Sequence, residues 1–395
     1  MELRPIRQDE LAEFIATTMS AFHRELSDED SEHYASAADA DRYLAWFDDG
    51  RIVATTGAFT REVTVPGGVL RSAAVTAVGV RPTHRRRGLL TGLMRAQLDE
   101  LRERGDAIAM LWASEGPIYG RFGYGVAARA ARLVAHRPRA RLARTVPGDP
   151  PLAAGPAADF VDLMSAIYDR VRPGRPGMLD RLGVWWDYRL YDPERSRQGA
   201  QPLQAVVAGD GYALYAVKPG LEEGAQVGEV LVREVVAATP DARARVWAFL
   251  LDQDLTLKID WALAPSDEPL WLELTDPSAA RMRLFDSLWV RIVDVASALA
   301  ARTFAVDPDV VIEVADSFCG WNAGRYRLAG GACERTDAEP DLALDVTDLG
   351  AAYLGGTTLA ALAAAGRVRE LTPGAVGRTS RAFRADVDPW CPEIF

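Results

Sequence analysis

The sequence predicts a mixed α/β (α+β) chain in three parts: two related units of strands and helices, then a separate α+β domain. Three observations carry this. A strand–proline–helix run occurs twice, a breaker-rich connector lies between the copies, and from about Ser287 a different rhythm of short strands takes over. At 395 residues the chain is too long for one ordinary core, so two or three domains are expected.

The first segment opens with Asp9 as a helix cap and an apolar stripe at Leu11, Phe14, Ile15, Met19 and Phe22. Two strands follow, joined at Asp49-Gly50, a strong hairpin signal. A turn at Pro66-Gly67-Gly68 leads to a strand from Ala73 to Val80. Next come the turn Pro-Thr-His-Arg-Arg-Arg-Gly and a helix with Leu89, Leu90, Leu93, Met94, Leu98 and Leu101 on one face. Asp106 to Trp112 reads as a short buried strand. The connector 137–157 holds five prolines, and the first domain boundary is placed in it, at 137/138.

The middle third, 138–286, repeats the first more weakly. Asp210-Gly211 marks a hairpin, and GEVLVREVVAATPDARARVWAFLL again gives strand, proline and helix. Here Asp241-Ala-Arg-Ala-Arg stands where the first copy has its arginine-rich turn and Gly88. Without that glycine the backbone cannot easily close on a phosphate. In the last part, 287–395, WVRIVDV, VVIEVAD, GRYRLAG and LALDVTD alternate as strands, and TTLAALAAAG is a short helix.

Composition excludes several functions. With 49% hydrophobic and 26% charged residues, the chain is an ordinary globular protein. No apolar run approaches the roughly 18–20 residues of a membrane span, and the N-terminus has no secretory apolar core, so a cytoplasmic location and no membrane partner are expected. Net charge of −11 argues against a nucleic-acid partner. Cys319, Cys333 and Cys391 form no CxxC, and His23, His33, His84 and His136 are scattered, so neither a metal site nor a disulfide framework is expected. One island breaks the acidic trend: Arg81, His84, Arg85, Arg86, Arg87 and Arg95.

That island sits where a strand ends and a helix begins. Helix N-termini offer unpaired N–H groups and the positive end of a dipole, a natural seat for pyrophosphate. Gly88 keeps side chains out of the way, and the arginines supply charge for the phosphates of a coenzyme A. The run VGVRPTHRRRGLLTGLM resembles the core motif of the GNAT acetyltransferases, Arg/Gln-x-x-Gly-x-Gly/Ala. Arg85, Gly88 and Leu90 occupy its three fixed positions, the last being a departure. With ASEGPIYGRFGYG (113–125), the WWDYRLYDP block from Trp185 and the closing Phe395, nearly the whole chain resembles the Eis (enhanced intracellular survival) family of actinobacteria.

That resemblance implies tandem GNAT folds, the first functional and the second degenerate, plus a sterol-carrier-like C-terminal domain. It implies acetyl-CoA as co-substrate. Val78, Gly79 and Val80 would hold the pantetheine arm, and Arg86, Arg87, Gly88, Leu89, Leu90 and Thr91, with Arg85 before them, would wrap the pyrophosphate. Ser114 and Glu115 would line the cofactor near the acetyl group. Tyr119 would be the proton donor and the terminal carboxylate of Phe395 the proton acceptor. Self-association as a homohexamer is implied too, as are aminoglycosides as a substrate class.

The chemistry is consistent with those roles. An amine attacks a thioester only when neutral, so a base must take its proton, and the departing thiolate is eased by an acid. A free terminal carboxylate has a pKa of about 3.3–3.7, too low for that task, but burial raises it. Trp390, Ile394 and Phe395 make the tail apolar enough to enter such a site. Tyr124 is the rival for the acid and Glu115 for the base. The acidic run Glu25, Asp28, Glu29, Asp30 and Glu32 reads either as a lining for ammonium groups or as a solvated loop. The tail departs from an acidic-rich ending, with Ile394 penultimate and Glu393 before it, which weighs against strong aminoglycoside activity. The expected reaction is acetyl transfer to a primary amine within a ternary complex. The other reading is a non-catalytic acyl-CoA or lipid carrier.

Overall fold

The structure is a computed structural model describing residues 1–144, 148 and 151–395, so part of the 137–157 connector lies outside the described residues. The chain forms two compact units. One comprises residues 1–128, 287–386 and 394–395, the other 129–286 and 387–393.

In the first unit, β1 (Glu2–Pro5) leads through a 3₁₀ turn at Gln8–Glu10 to α1 (Leu11–Ala21). The expected cap does not form at Asp9, which lies in that turn. Glu10 is the residue held, by the Arg4 guanidinium at 2.7 Å and the Arg7 N–H at 2.8 Å. Leu11, Phe14 and Ile15 are buried, but Phe22 follows the helix end and is exposed. Most of the acidic run is helical, with only Glu25 in the connecting segment: Ser27 and Asp30 cap each other to start α2 (Asp28–Ser36).

Next, β2 (Tyr43–Asp48) and β3 (Arg51–Val65) pair across Asp49-Gly50, whose positive φ angles of 48° and 76° make the expected tight hairpin. Then come β4 (Gly68–Val80), α3 (Leu89–Glu103), β5 (Ile108–Trp112), the short α4 (Gly116–Gly120) and β6 (Tyr124–Val126). Strand β4 starts five residues before the expected Ala73, because the Pro66-Gly67 turn lets it pair with β3 from its first residue.

The second unit contains β7 (Arg129–His136), β8 (Ala153–Pro156), α5 (Val161–Val171), α6 (Trp185–Leu190), β9 (Gln204–Ala208) and β10 (Gly211–Lys218). After a small hairpin, β11 (Leu221–Glu222) and β12 (Ala225–Gln226), come β13 (Gly228–Ala237), α7 (Pro240–Leu251), β14 (Thr256–Pro265), α8 (Leu270–Glu273) and β15 (Ala280–Asp286). Its seven-stranded sheet runs β15-β7-β14-β13-β10-β9-β8. Where the first unit has Gly88, here Thr239 caps α7 by accepting from the Ala242 N–H.

The chain then returns to the first unit with β16 (Leu288–Ile292), α9 (Val295–Ala300), β17 (Val310–Ala315), β18 (Gly324–Ala329), β19 (Ala332–Arg335), β20 (Leu342–Asp345), α10 (Val346–Ala352), α11 (Leu359–Ala364), β21 (Val368–Glu370) and α12 (Ala375–Phe383). Strands β17–β21 form a sheet of order β19-β18-β17-β20-β21.

Strand β16 does not join that sheet. It inserts between β5 and β6 in the order β1-β2-β3-β4-β5-β16-β6. So WVRIVDV, read as the start of the last domain, completes the first sheet. Residues 129–136, read inside the first domain, are instead β7 of the second sheet. Edge pairing decides both cases: β16 satisfies the exposed edges of β5 and β6, and β7 lies between β14 and β15. The sequence pattern of an alternating strand does not carry that choice.

Candidate active site

Strands β4 and β5 run parallel but stay paired only at Ala73–Ala109 and Ala74–Met110. Beyond that point β4 continues six residues to Val80 and β5 two residues to Trp112, with no further register between them. On its other side β4 keeps β3 as a partner, Gly79 opposite Thr55 and Val80 opposite Ala54. Among the described residues, then, the backbone of 78–80 borders a gap at the C-terminal end of two parallel strands, open to an added extended chain.

A bulge shapes that gap. The register between β3 and β4 slips between Thr55 and Gly57, and Ala77 absorbs the extra residue with φ 55°. The Thr55 hydroxyl donates to the Ala77 carbonyl at 2.8 Å. Thr18 of α1 bonds the Thr55 hydroxyl at 3.0 Å, and Arg81 reaches Thr17 at 3.0 Å. These contacts were missed from sequence; two buried threonines on an otherwise apolar helix face were the available signal.

At the end of β4, Arg86 (φ 64°) and Gly88 (φ 81°) are both left-handed, and Gly88 is the N-cap of α3. The first bond of the helix runs from the Gly92 N–H to the Gly88 carbonyl. The N–H groups of Gly88, Leu89, Leu90 and Thr91 therefore have no acceptor within the helix. The helix is pinned from below: Trp46 donates to the Leu89 carbonyl at 3.0 Å, while Leu89, Leu93, Met94, Gln97, Leu98 and Leu101 are buried. Arg85, Arg86 and Arg87 are exposed, with Arg85 turned back to the Val80 carbonyl. A donor-rich helix start, positive side chains and an open strand edge fit a pyrophosphate on a long acyl-carrying arm.

Ser114 and Glu115 follow β5 after the single residue Ala113, on the far side of the gap, and both are exposed. Glu115 is the N-cap of α4, which carries Tyr119. Tyr119 is 5% exposed, and burial, aided by the Glu115 charge, raises its hydroxyl to about 12. Its ring meets that of Tyr124 edge-on at 5.9 Å. Tyr124 is 0% exposed, and its hydroxyl has no hydrogen-bond partner among the described residues.

Two glycines of the IYGRFGYG run, Gly123 and Gly125, have a packing cause: a Cβ on Gly123 would lie 2.7 Å from the Arg291 guanidinium. A Cβ on Gly125 would lie 1.9 Å from the Thr347 carbonyl oxygen, because α10 crosses β6 backbone to backbone. Phe395 is half-buried and Ile394 exposed; both group with the first unit, as Tyr119 does. The acidic residues Glu25, Asp28 and Glu32 line an open groove of about 1270 Å³ between α1 and α2, away from the cradle residues. From α2 it is Tyr34 that reaches the bulged strand, 3.4 Å from the Thr76 hydroxyl.

Comparison with known proteins agrees with this anatomy. Two acetyltransferase (GNAT) domain models match residues 2–127 and 177–292, and a sterol carrier protein domain model matches 295–392. An N-acetyltransferase of Streptomyces avermitilis is 44% identical over 408 residues, covering 100% of this chain and 99% of the relative. N-acetyltransferase Eis of Mycobacterium tuberculosis is 36% identical over 343 residues, covering 82% and 81%. Among solved structures, Eis1 from Mycobacterium abscessus superposes with a TM-score of 0.89 at 32% identity, covering both chains fully. A GCN5-related N-acetyltransferase from Anabaena variabilis shares the fold over both full chains at TM-score 0.85 and 20% identity.

Proposed function

The chain belongs to the Eis-type GNAT acetyltransferases, and from that premise we propose that it acetylates a primary amine of a cationic substrate by direct transfer within a ternary complex. The observation that carries this reading is the gap between β4 and β5, followed in the chain by the four N–H groups of 88–91 that have no acceptor within the helix.

Acetyl-CoA supplies the activated acyl group. On this reading the backbone of Val78, Gly79 and Val80 lies along its pantetheine arm. Residues 85–91 hold its pyrophosphate, and Ser114 and Glu115 border the thioester end. The Phe395 carboxylate accepts the proton from the attacking amine, and Tyr119 donates one to the departing sulfur. Burial favours both jobs. It keeps the Tyr119 proton in place at neutral pH, and it would raise a terminal carboxylate toward the range where a base is effective. Between the two tyrosines, the slight opening at Tyr119 supports it over the sealed Tyr124.

Aminoglycosides, lysine-bearing peptides and polyamines are the candidate amines. A screen of these with acetyl-CoA, following thiol release, tests the reading. Turnover on at least one class is expected. Tight acetyl-CoA binding with no turnover on any would favour the carrier reading instead. Two cavities on the β17–β21 sheet speak against that second reading, since charged side chains such as Glu313, Arg325 and Arg369 line them. A cytoplasmic homohexamer belongs to the same proposal on resemblance alone, and a solution mass near six times 43.0 kDa would support the assembly.

A further inference from the structure

The second acetyltransferase fold has its own strand gap, and it is filled. Parallel pairing of β13 with β14 runs from Gly228–Thr256 to Val232–Trp261 and stops, while β13 goes on to Ala237 and β14 to Pro265. This is the same divergence that opens β4 from β5 in the first fold. Just past the stop, however, the carbonyls are already taken. The Trp390 indole N–H donates to the Leu263 carbonyl at 2.8 Å, and Arg189 donates to the Arg233 carbonyl at 2.9 Å. Trp390 also sets its ring edge-on against Trp261 at 6.0 Å, and its backbone N–H donates to the Pro176 carbonyl at 2.8 Å.

A buried ionic cluster ties down the next residues of the tail. Arg181, with no exposed side-chain surface, binds Glu393 at 2.6 Å and Glu234 at 2.7 Å. Arg189 binds Glu234 at 2.8 Å and the Pro392 carbonyl at 3.2 Å. The Arg181 guanidinium stacks on the Tyr168 ring at 3.9 Å, and Tyr212 donates to Glu234 at 2.7 Å. Both guanidinium groups thus meet Glu234, and Arg181 also meets a carboxylate that comes from the tail. Taking Glu393 away leaves a buried excess of positive charge, a costly arrangement.

We propose that the degenerate fold has exchanged its cofactor gap for a dock that holds the chain's own tail, and that Arg181, acting through Glu393, is a positioning residue for the terminal carboxylate. The inference rests on the reading of Phe395 as the base. Residues 387–393 are fixed on the second unit, so two residues remain beyond the last anchor. Two residues span at most about 7 Å, which confines the carboxylate to a small volume without any bond to the carboxylate itself.

The test uses the full-length enzyme with an amine that it turns over. Glu393→Ala removes the tail's charge and leaves Arg181 paired with Glu234. The expected result is a fall in kcat of tenfold or more, with KM for acetyl-CoA within twofold. Glu393→Gln, which keeps an acceptor for Arg181, should recover part of the loss. Carboxypeptidase Y should release Phe395 faster from the Ala variant than from the wild type. Should Glu393→Ala fail to fold, Trp390→Phe, which removes the bond to Leu263 and shrinks the ring set against Trp261, should give the same split between kcat and KM.

The control is a single glycine appended after Phe395 with Glu393 intact. If it abolishes turnover while Glu393→Ala keeps kcat within twofold, the dock is overturned and the base assignment stands. If the extended protein turns over fully, the base assignment fails, and the dock's catalytic role fails with it.

Discussion

Tyr119 and Tyr124 meet edge-on at 5.9 Å, yet only Tyr119 keeps an opening to the outside. The two hydroxyls therefore have different prospects. Tyr119→Phe should lower kcat by about 10²–10⁴-fold, the usual contribution of a general acid, and leave acetyl-CoA affinity unchanged. Tyr124→Phe should keep activity within a few fold. It should also leave thermal stability equal or higher, because it deletes a buried hydroxyl with no partner. Steady-state kinetics and a melting curve on both variants check this.

The Tyr119 hydroxyl, raised to about 12, fixes the sign of an alkaline effect. The folded state holds this proton more tightly than the unfolded chain, where tyrosine titrates near 10. Its contribution to stability is complete below pH 10 and is lost as pH rises from 10 toward 12. In Tyr119→Phe that part of the decline should be absent in denaturant titrations between pH 9 and 11.

The opposite sign applies to Glu234. Burial alone would raise this carboxyl, but Arg181 and Arg189 outweigh it and hold it at about 2. Its stabilisation is present above the unfolded value near 4.5 and is lost as pH falls toward 2. Arg181→Met, which removes the guanidinium shared by Glu234 and Glu393 and leaves Glu234 to Arg189 and Tyr212, should cost about 3–5 kcal/mol at neutral pH, read by chemical denaturation. The loss should shrink as the carboxyl is protonated.

Thr55 holds the bulge through the Ala77 carbonyl. Thr55→Val should raise KM for acetyl-CoA and cost about 1–3 kcal/mol of stability, the penalty for stranding a buried acceptor. Thr55→Ser, which retains the donor, should restore most of both. A valine variant with wild-type KM would remove the bulge from the account.

Much of the first unit is legible in the sequence because its signals are local. Asp49-Gly50 sets a hairpin by turn geometry, and Gly88 before an amphipathic run marks both a helix start and an anion seat. What is not legible is non-local. Nothing in an alternating pattern says that β16 will slot between β5 and β6, or that 129–136 will pair with β14 and β15. The bulge at Ala77 depends on a hydroxyl 22 residues away. The ionic cluster depends on Arg181, Glu234 and Glu393, which the chain brings together from three distant segments. An acidic residue inside the apolar run GEVLVREVVA was a visible sign that Glu234 had a buried partner, but not which one.

The central claim is one acetyl-CoA cradle per chain, at 78–91. Titration calorimetry with acetyl-CoA on the full-length protein tests it most directly. A Cβ on Gly88 would meet no protein atom within 4 Å, so within the protein Gly88→Val acts through its left-handed backbone, with the added side chain facing the phosphates as a further obstacle. That strain is worth about 1–2 kcal/mol, or roughly 5–30-fold in affinity, and Gly88→Asn should lose less. The account predicts one site per chain, weakened in that order by the two variants. Two sites per chain, or a single site unaffected by Gly88→Val, would contradict it.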